Sequence, residues 1–432
     1  MVQVDTNGIE KRVGSLDLGA NEPRTPFGRE FREKYFSFED GVVNVNHGSY
    51  GAVPKCVINA KFEYLTKSFA FPEDHFKLNV DKKVNQVRAK VAEIVDADVE
   101  SLVFVTNDTT GINSVLRNYP FQKGQAVVYC NTSFVACSSA LKYLRDRVGI
   151  ELIEVQIKYP MSNQEIVDAY TEAMDSHSNV KMALFDTTSS VPAAQLPWQT
   201  LCAECRKRDI LSLVDGAHGI GLSEIKLRQA RPDFFTSNLH KWFFTPVSLA
   251  LLYVDKAHHE IINGVTISAL YVPEPEIKSG SKKPLAFADK FCENGTVDVS
   301  NIQSVEDAIA FRNNICGGEK AIRDYCYKLA IDAANYMLKE FGTEILSGKQ
   351  DTISNSMINV RVPLTAPPTQ ASQIVSAYTT YICNKWKTFV PLFYYNGAWW
   401  VRLSAQIYLD LDDFKHATKA VSDTLDHIKS TL

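Results

Sequence analysis

Three stretches of this chain place reactive side chains directly after short apolar runs. The run 211–214 leads into Asp215-Gly216-Ala217-His218-Gly219, and Phe234-Phe235 leads into Thr236-Ser237-Asn238-Leu239-His240-Lys241-Trp242. The run 102–105 leads into Thr106-Asn107-Asp108-Thr109-Thr110-Gly111. A lysine beside an aromatic ring and a histidine has the surroundings of a Schiff-base nucleophile. A carboxylate at a buried strand end is costly unless it meets a cation. Hydroxyls and free N–H groups at a helix start make a cradle for an anion or a phosphate. Each feature has an ordinary reading as well, since Thr and Asp cap helices and most lysines are surface residues. The combination is more informative than any member: a cradle, an acid, and a lysine 26 positions after the acid.

These residues need a scaffold that brings strand ends together. Apolar runs at 102–105, 126–129, 152–157, 182–185, 211–214 and 249–254 alternate with amphipathic stretches such as Val84, Val87, Val91 and Ile94. Strands this apolar are buried on both faces, as in a parallel sheet covered by helices. The alternation predicts an α/β fold with right-handed crossovers. In open α/β sheets ligands bind beyond the carboxyl ends of the strands, where the polar residues above fall. Residues 271–284, rich in Pro and Lys, read as an exposed loop. After it, helical patterns at 304–313, 320–341 and 412–428 and strand patterns at 356–362 and 399–403 predict a smaller α+β domain.

Composition narrows the classes. The chain has 432 residues, with 45% hydrophobic and 22% charged, which excludes disordered and fibrous proteins. Lys+Arg of 46 against Asp+Glu of 50 lacks the basic surplus of a nucleic-acid binder. The longest apolar run, 247–254, is far short of the ~20 residues that span a bilayer. Residues 1–10 hold no signal-like apolar segment. Nine scattered cysteines fit a reducing compartment, and the close pair Cys202 and Cys205 reads as small buried residues of a helix. The terminal Ser430-Thr431-Leu432 echoes a peroxisomal signal without its Lys. A cytoplasmic protein with no membrane, nucleic-acid or metal ligand is expected.

A phosphate cradle, a strand-end acid and a lysine together describe a site for pyridoxal 5′-phosphate. Its phosphate needs N–H groups and hydroxyls, its ring nitrogen an acid, and its aldehyde an amine. On these residues the chain resembles the fold-type I pyridoxal-phosphate enzymes, specifically the class V aminotransferase family. Within it the resemblance is to the branch of isopenicillin N epimerase, the fungal ergothioneine carbon–sulfur lyases and the loline-pathway enzymes, from Asn44 to Tyr408. That resemblance implies a large cofactor domain at 44–300, a small domain at 301–432, and an N-terminal extension, 1–43, packed on the small domain.

It also implies roles. Val45-Asn46-His47-Gly48-Ser49-Tyr50-Gly51 looks like the substrate loop, with Asn46, His47 and Tyr50 facing substrate. Thr109 and Thr110 match phosphate contacts, as do Asn238 and His240, and Phe134 matches the ring that stacks on the cofactor. Asp215 and His218 match the acid and the group near the ring hydroxyl, and Lys241 the Schiff-base lysine; Asp186, which follows another strand with 187–190, is expected to line the pocket and bind the cofactor. Gly295-Thr296 resembles the pair that reaches a phosphate from the partner subunit of a homodimer. Arg402, in Arg402-Leu403-Ser404-Ala405-Gln406-Ile407-Tyr408, matches the residue that grips the substrate α-carboxylate. The catalytic group is then Lys241, Asp215, His218 and Phe134.

Residues 385–401 hold no Cys and the nearest is Cys383, whereas cysteine desulfurases of this family carry a nucleophilic Cys shortly before the Arg. The leading expectation is a lyase acting on an amino acid with a β- or γ-leaving group, plausible chemistry being carbon–sulfur cleavage, or a substitution or cyclisation of fungal-type secondary metabolism. Amino-acid epimerisation is the enzymatic alternative, and a non-catalytic binding scaffold the alternative of another class.

Overall fold

The apolar runs become strands: β1 (Leu102–Val105), β2 (Ala126–Cys130), β3 (Glu151–Val155), β4 (Val180–Asp186), β5 (Leu211–Asp215), β6 (Phe234–Asn238) and β7 (Ala250–Val254). The structure, a computed structural model, describes residues 25–292, 294–346 and 352–431. The strands form a seven-stranded sheet in the order β1-β7-β6-β5-β4-β2-β3. Every residue of β2, β6 and β7 is buried. Side chains of one strand alternate between two apolar clusters: Val128 and Cys130 enter one, Val127 and Tyr129 the other. Helices therefore cover both faces, as an α/β sheet requires.

One strand departs from the parallel pattern. β2 to β6 run parallel to their neighbours in that block, but β7 is antiparallel to both β6 and β1. A parallel return needs a crossover of a dozen or more residues. The link from Asn238 to Ala250 holds only the short helix Leu239–Trp242, so the chain turns straight back. That turn carries Lys241. Because β4, β5 and β6 are parallel and adjacent, Asp186 lies opposite Asp215, and Asp215 opposite Thr236, at one edge of the sheet.

A second sheet joins β8 (Met357–Arg361), β9 (Leu392–Tyr395) and β10 (Ala398–Ser404), all antiparallel, in the order β8-β10-β9. The long helices Glu319–Phe341, Ala371–Trp386 and Leu411–Thr431 back it. The helix Arg29–Tyr35 joins this apolar cluster through Phe31 and Tyr35, followed by Phe36. Its entry is tied down by the Gly28 N–H to Ile407 carbonyl bond (2.8 Å) and the Arg32–Asp413 ion pair (2.7 Å). Residues 1–24 of the expected extension lie outside the described residues.

The two layers meet at a small apolar cluster of Ala193, Leu222, Trp242 and Met357, which puts β8 against the lysine helix. Within 271–284, read above as loop, Glu274–Lys278 is helical. Its local sequence accounts for that: Pro275 falls in the first turn, where no N–H is needed, and Lys278 pairs with Glu274 one turn back. No helix among the described residues is long and apolar enough to cross a membrane.

Candidate active site

Lys241 sits on the short helix after β6, where its side chain keeps partial access to solvent. The short helix His47–Tyr50, a segment the sequence reads as loop, packs with Gly51 directly against the lysine helix. A Cβ on Gly51 would lie 2.0 Å from the His240 carbonyl oxygen and 2.8 Å from that of Lys241, and its φ of +75° suits glycine alone. From the other side Arg312, fully buried, donates to the Trp242 carbonyl (2.8 Å) and pairs with Glu319. The helix is thus clamped between segments more than 250 residues apart in the chain, residues 47–51 and Arg312.

At the amine, Lys241 Nζ is 3.2 Å from His218 Nε2, and Trp242 Nε1–H donates to His218 Nδ1 at 3.0 Å. Asp215 accepts the Ala217 N–H on Oδ1 (2.9 Å) and the Cys137 thiol on Oδ2 (3.1 Å). The ligand atoms of Asp108, Cys137 and Asp215 all lie within 4.8 Å of one another, each residue buried. Asp108 Oδ1 and Asp186 Oδ2 are buried without a hydrogen-bond partner. Burial pushes the carboxyls of Asp108 and Asp186 well above the usual range, and the Asp215 charge adds to it. Burial also lowers Lys241, opposed by Asp215 and Asp108.

The other end of the cluster is rich in donors. Asn107 caps the helix Asp108–Asn118, its Oδ1 accepting the Thr110 N–H (2.8 Å). Thr106 and Thr110 hydroxyls meet at 2.8 Å, and Thr109 is exposed at the helix start. Asn238 orients this terminus by accepting the Asp108 N–H (2.9 Å), and His240 donates from Nδ1 to the Leu249 carbonyl (3.0 Å). Phe134, 44% exposed, is the cap residue before the helix Val135–Val148. That helix carries Cys137, which donates to Asp215.

Arg402, on β10, is 1% exposed. It donates to the Ser190 carbonyl (2.9 Å), Ser190 Oγ (3.2 Å), Asn46 Oδ1 (2.6 Å) and Ser49 Oγ (3.0 Å), while its Nε has no partner. All of these partners are neutral, and burial pushes the guanidinium down to about 10. Asn359 of β8 bonds both the N–H and the carbonyl of Ala193 (2.9 and 2.8 Å), which holds the Ser190 loop in place. A buried cation with neutral partners and a spare donor calls for an anion.

The structure therefore gathers Lys241, Asp215, His218, Asp186, Asn46 and Arg402 toward one centre, with Thr109, Thr110, Asn238 and His240 at its helix-start end. Tyr50, 79% exposed, stands at the rim. His47, expected at the substrate, is fully buried: its ring packs on Trp242 (5.0 Å) and Nδ1 bonds the Tyr408 hydroxyl (3.0 Å). Burial drops its pKa to about 3, so the ring is neutral, and its Nε2 is buried without a hydrogen-bond partner. Thr296 lies on an exposed stretch and takes no part in these hydrogen bonds. The reading of the sequence did not single out Asp108, Cys137, Ser49 or Asn359. Asp108 looks like any helix-start acid, and nothing local signals that it is buried beside Asp215.

These residues suit pyridoxal phosphate on structural grounds. Asp108 Oδ1 and Asp186 Oδ2, buried without a hydrogen-bond partner beside Asp215, suit the neighbourhood of a protonated ring nitrogen. The capped helix start offers N–H groups and hydroxyls for a phosphate, and the Lys241 amine lies with them.

The aminotransferase class-V family model matches residues 49–378. The chain is 29% identical over 437 residues to the L-cysteine desulfhydrase-like protein lolT1 of Epichloe uncinata, with 93% of this chain and 96% of that protein covered. It is 28% identical over 402 residues to the hercynylcysteine sulfoxide lyase of Schizosaccharomyces pombe, covering 92% and 97%. The structure of the cystine C-S lyase C-DES with its product cysteine persulfide matches with a TM-score of 0.74 at 15% identity, covering 89% of this chain and 98% of that one. That likeness bears on the fold, which is fold type I. With family model, fold and site chemistry in agreement, the chain belongs to the class V aminotransferase family, and its cofactor is pyridoxal 5′-phosphate.

Proposed function

We propose that the protein is a lyase that breaks a carbon–sulfur bond of an amino-acid substrate by elimination. The observation that carries the substrate class is Arg402, a buried guanidinium held open by neutral groups beside Lys241 and awaiting a carboxylate. The choice of bond is supported by relatives named for sulfur chemistry, the lolT1 protein and the hercynylcysteine sulfoxide lyase.

In this reading Arg402 grips the α-carboxylate with two parallel hydrogen bonds, and Asn46 and Ser49 keep its fork in plane. That grip would fix the orientation of the substituents on Cα. Lys241 would take the Cα proton as general base. Asp215 would hold the ring nitrogen, with Asp108 and Asp186 buried nearby, and His218 would serve the ring hydroxyl. Phe134 would cover the ring, and Thr109, Thr110, Asn238 and His240 would hold the phosphate. The bound cofactor supplies an electron sink for the pair left at Cα. Loss of the β-sulfur group then completes elimination.

Incubation with a cysteine S-conjugate will yield pyruvate, ammonia and the free thiol in equal amounts. Deuterium entering Cα with no pyruvate would point to epimerisation instead. A chain that stays colourless with excess pyridoxal phosphate would point to a binding scaffold.

A homodimer completes the reading, with Thr296 of one protomer serving the phosphate of the other. Exposed Phe62, Phe69, Phe71, Leu78 and Val297 are large apolar side chains of the kind an interface covers. Light scattering will give twice the chain mass, and Phe69→Asp with Phe71→Asp will shift it toward the monomer with loss of activity. The cysteines form no disulfide among the described residues, which suits a reducing cytosol, and the relative lolT1 supports a pathway of secondary metabolism.

A further inference from the structure

Lys241 and Trp242, neighbours in the chain, approach the same imidazole from its two sides. Trp242 Nε1 is 3.0 Å from His218 Nδ1, and Lys241 Nζ is 3.2 Å from His218 Nε2. An indole N–H can only donate, so His218 Nδ1 must present its lone pair. In a neutral ring the proton then sits on Nε2, aimed at the lysine nitrogen. A lysine nitrogen accepts a hydrogen bond only as the free amine. An ammonium would set N–H against N–H, unless His218 moved its proton to Nδ1 and confronted the indole in the same way.

We propose that Trp242 is a positioning residue that fixes the Nε2–H tautomer of His218 and thereby holds Lys241 as a free amine, ready to condense with an aldehyde. This rests on the reading that Lys241 is the residue that takes up the cofactor. The free amine adds its lone pair to the aldehyde carbon, its protons pass to the oxygen, and water leaves as the imine forms. No other reactant is needed.

The surroundings pull Lys241 both ways. Asp215, Asp108 and Asp186 face Lys241 and favour the ammonium; burial and Arg402 oppose them. His218 is kept neutral by its own burial and by the charge of Arg402. His47 and His240, which also border the lysine helix, are both held down by burial and add no competing proton near neutral pH. The indole itself cannot drift. Its ring packs on His47 at 5.0 Å, its side chain belongs to the cluster with Met357 and Leu222, and its carbonyl is held by Arg312. A donor locked this firmly selects the tautomer instead of following it.

The test uses the full chain stripped of cofactor. The rate at which visible absorbance returns on adding pyridoxal phosphate is measured against pH for the wild type and Trp242→Phe. Borohydride trapping and mass spectrometry confirm attachment at Lys241. The profile of Trp242→Phe is expected to move up by about one pH unit, so that uptake at neutral pH slows roughly tenfold. Superimposed profiles would overturn the proposal. A second measurement needs no Trp variant: ¹⁵N shifts of histidine-labelled wild type, with His218 identified by its loss in His218→Gln. The Nε2–H tautomer is expected, and an Nδ1–H or doubly protonated ring would overturn the proposal even if Trp242→Phe failed to fold. Wild type that takes up cofactor at another lysine would instead sink the parent reading.

Discussion

Lys241→Ala is expected to slow turnover by at least about 10³-fold while leaving the fold intact. A positioned general base is worth roughly 10²–10⁴-fold, and the variant loses the covalent tether as well. Stability supplies the second readout. Burial lowers the Lys241 pKa below its ordinary 10.5. Between the folded value and 10.5 the unfolded chain binds a proton that the native state does not, so wild-type stability rises with pH across that window. Below it the wild type bears the full cost, which alanine removes. The cofactor-free variant will therefore melt no lower than cofactor-free wild type at neutral pH, and the difference will shrink as pH approaches 10.5. A marked drop in its melting temperature at neutral pH would mean that Lys241 supports the fold and not the chemistry.

Arg402→Met is expected to lower kcat/KM for amino-acid substrates by roughly 10²–10³-fold. Removing one partner of a buried, hydrogen-bonded charge pair costs about 2–5 kcal/mol. The loss will be specific: wild type will prefer an amino acid to the amine lacking its carboxylate, and the variant will not. Arg402→Lys will not restore that preference, because a compact ammonium cannot span Ser190, Asn46 and Ser49 and still present a planar fork. Competition assays with matched acid and amine ligands decide the matter. If Arg402→Met keeps the discrimination, the carboxylate binds elsewhere.

Much of the centre was legible because chain order and space coincide there. Asp215 ends β5, and Lys241 follows β6, its immediate parallel neighbour, so two strand-end motifs in sequence become two sides of one site. Thr110 was legible for the same reason, as the start of the helix after β1. The direction of β7 was not, because the apolar run 249–254 looks alike in either orientation. Only the shortness of the link after Asn238 turns it back. His47 shows a different limit. Its position in a loop beside Asn46 suggested contact with substrate, yet packing against Trp242, Phe244 and Tyr408 encloses it completely.

By itself the sequence determined the α/β class, the strand-end placement of acid and lysine, and the cofactor chemistry they imply, because apolar periodicity and strand-end polarity are local properties. Tertiary structure alone decided what surrounds those groups. It set Asp108 against Asp215, joined Arg402 to Asn46 across 356 positions, and placed one imidazole between the lysine and its neighbouring indole. Those relations depend on burial and on contacts between distant segments, and neither is written in the spacing of residues along the chain.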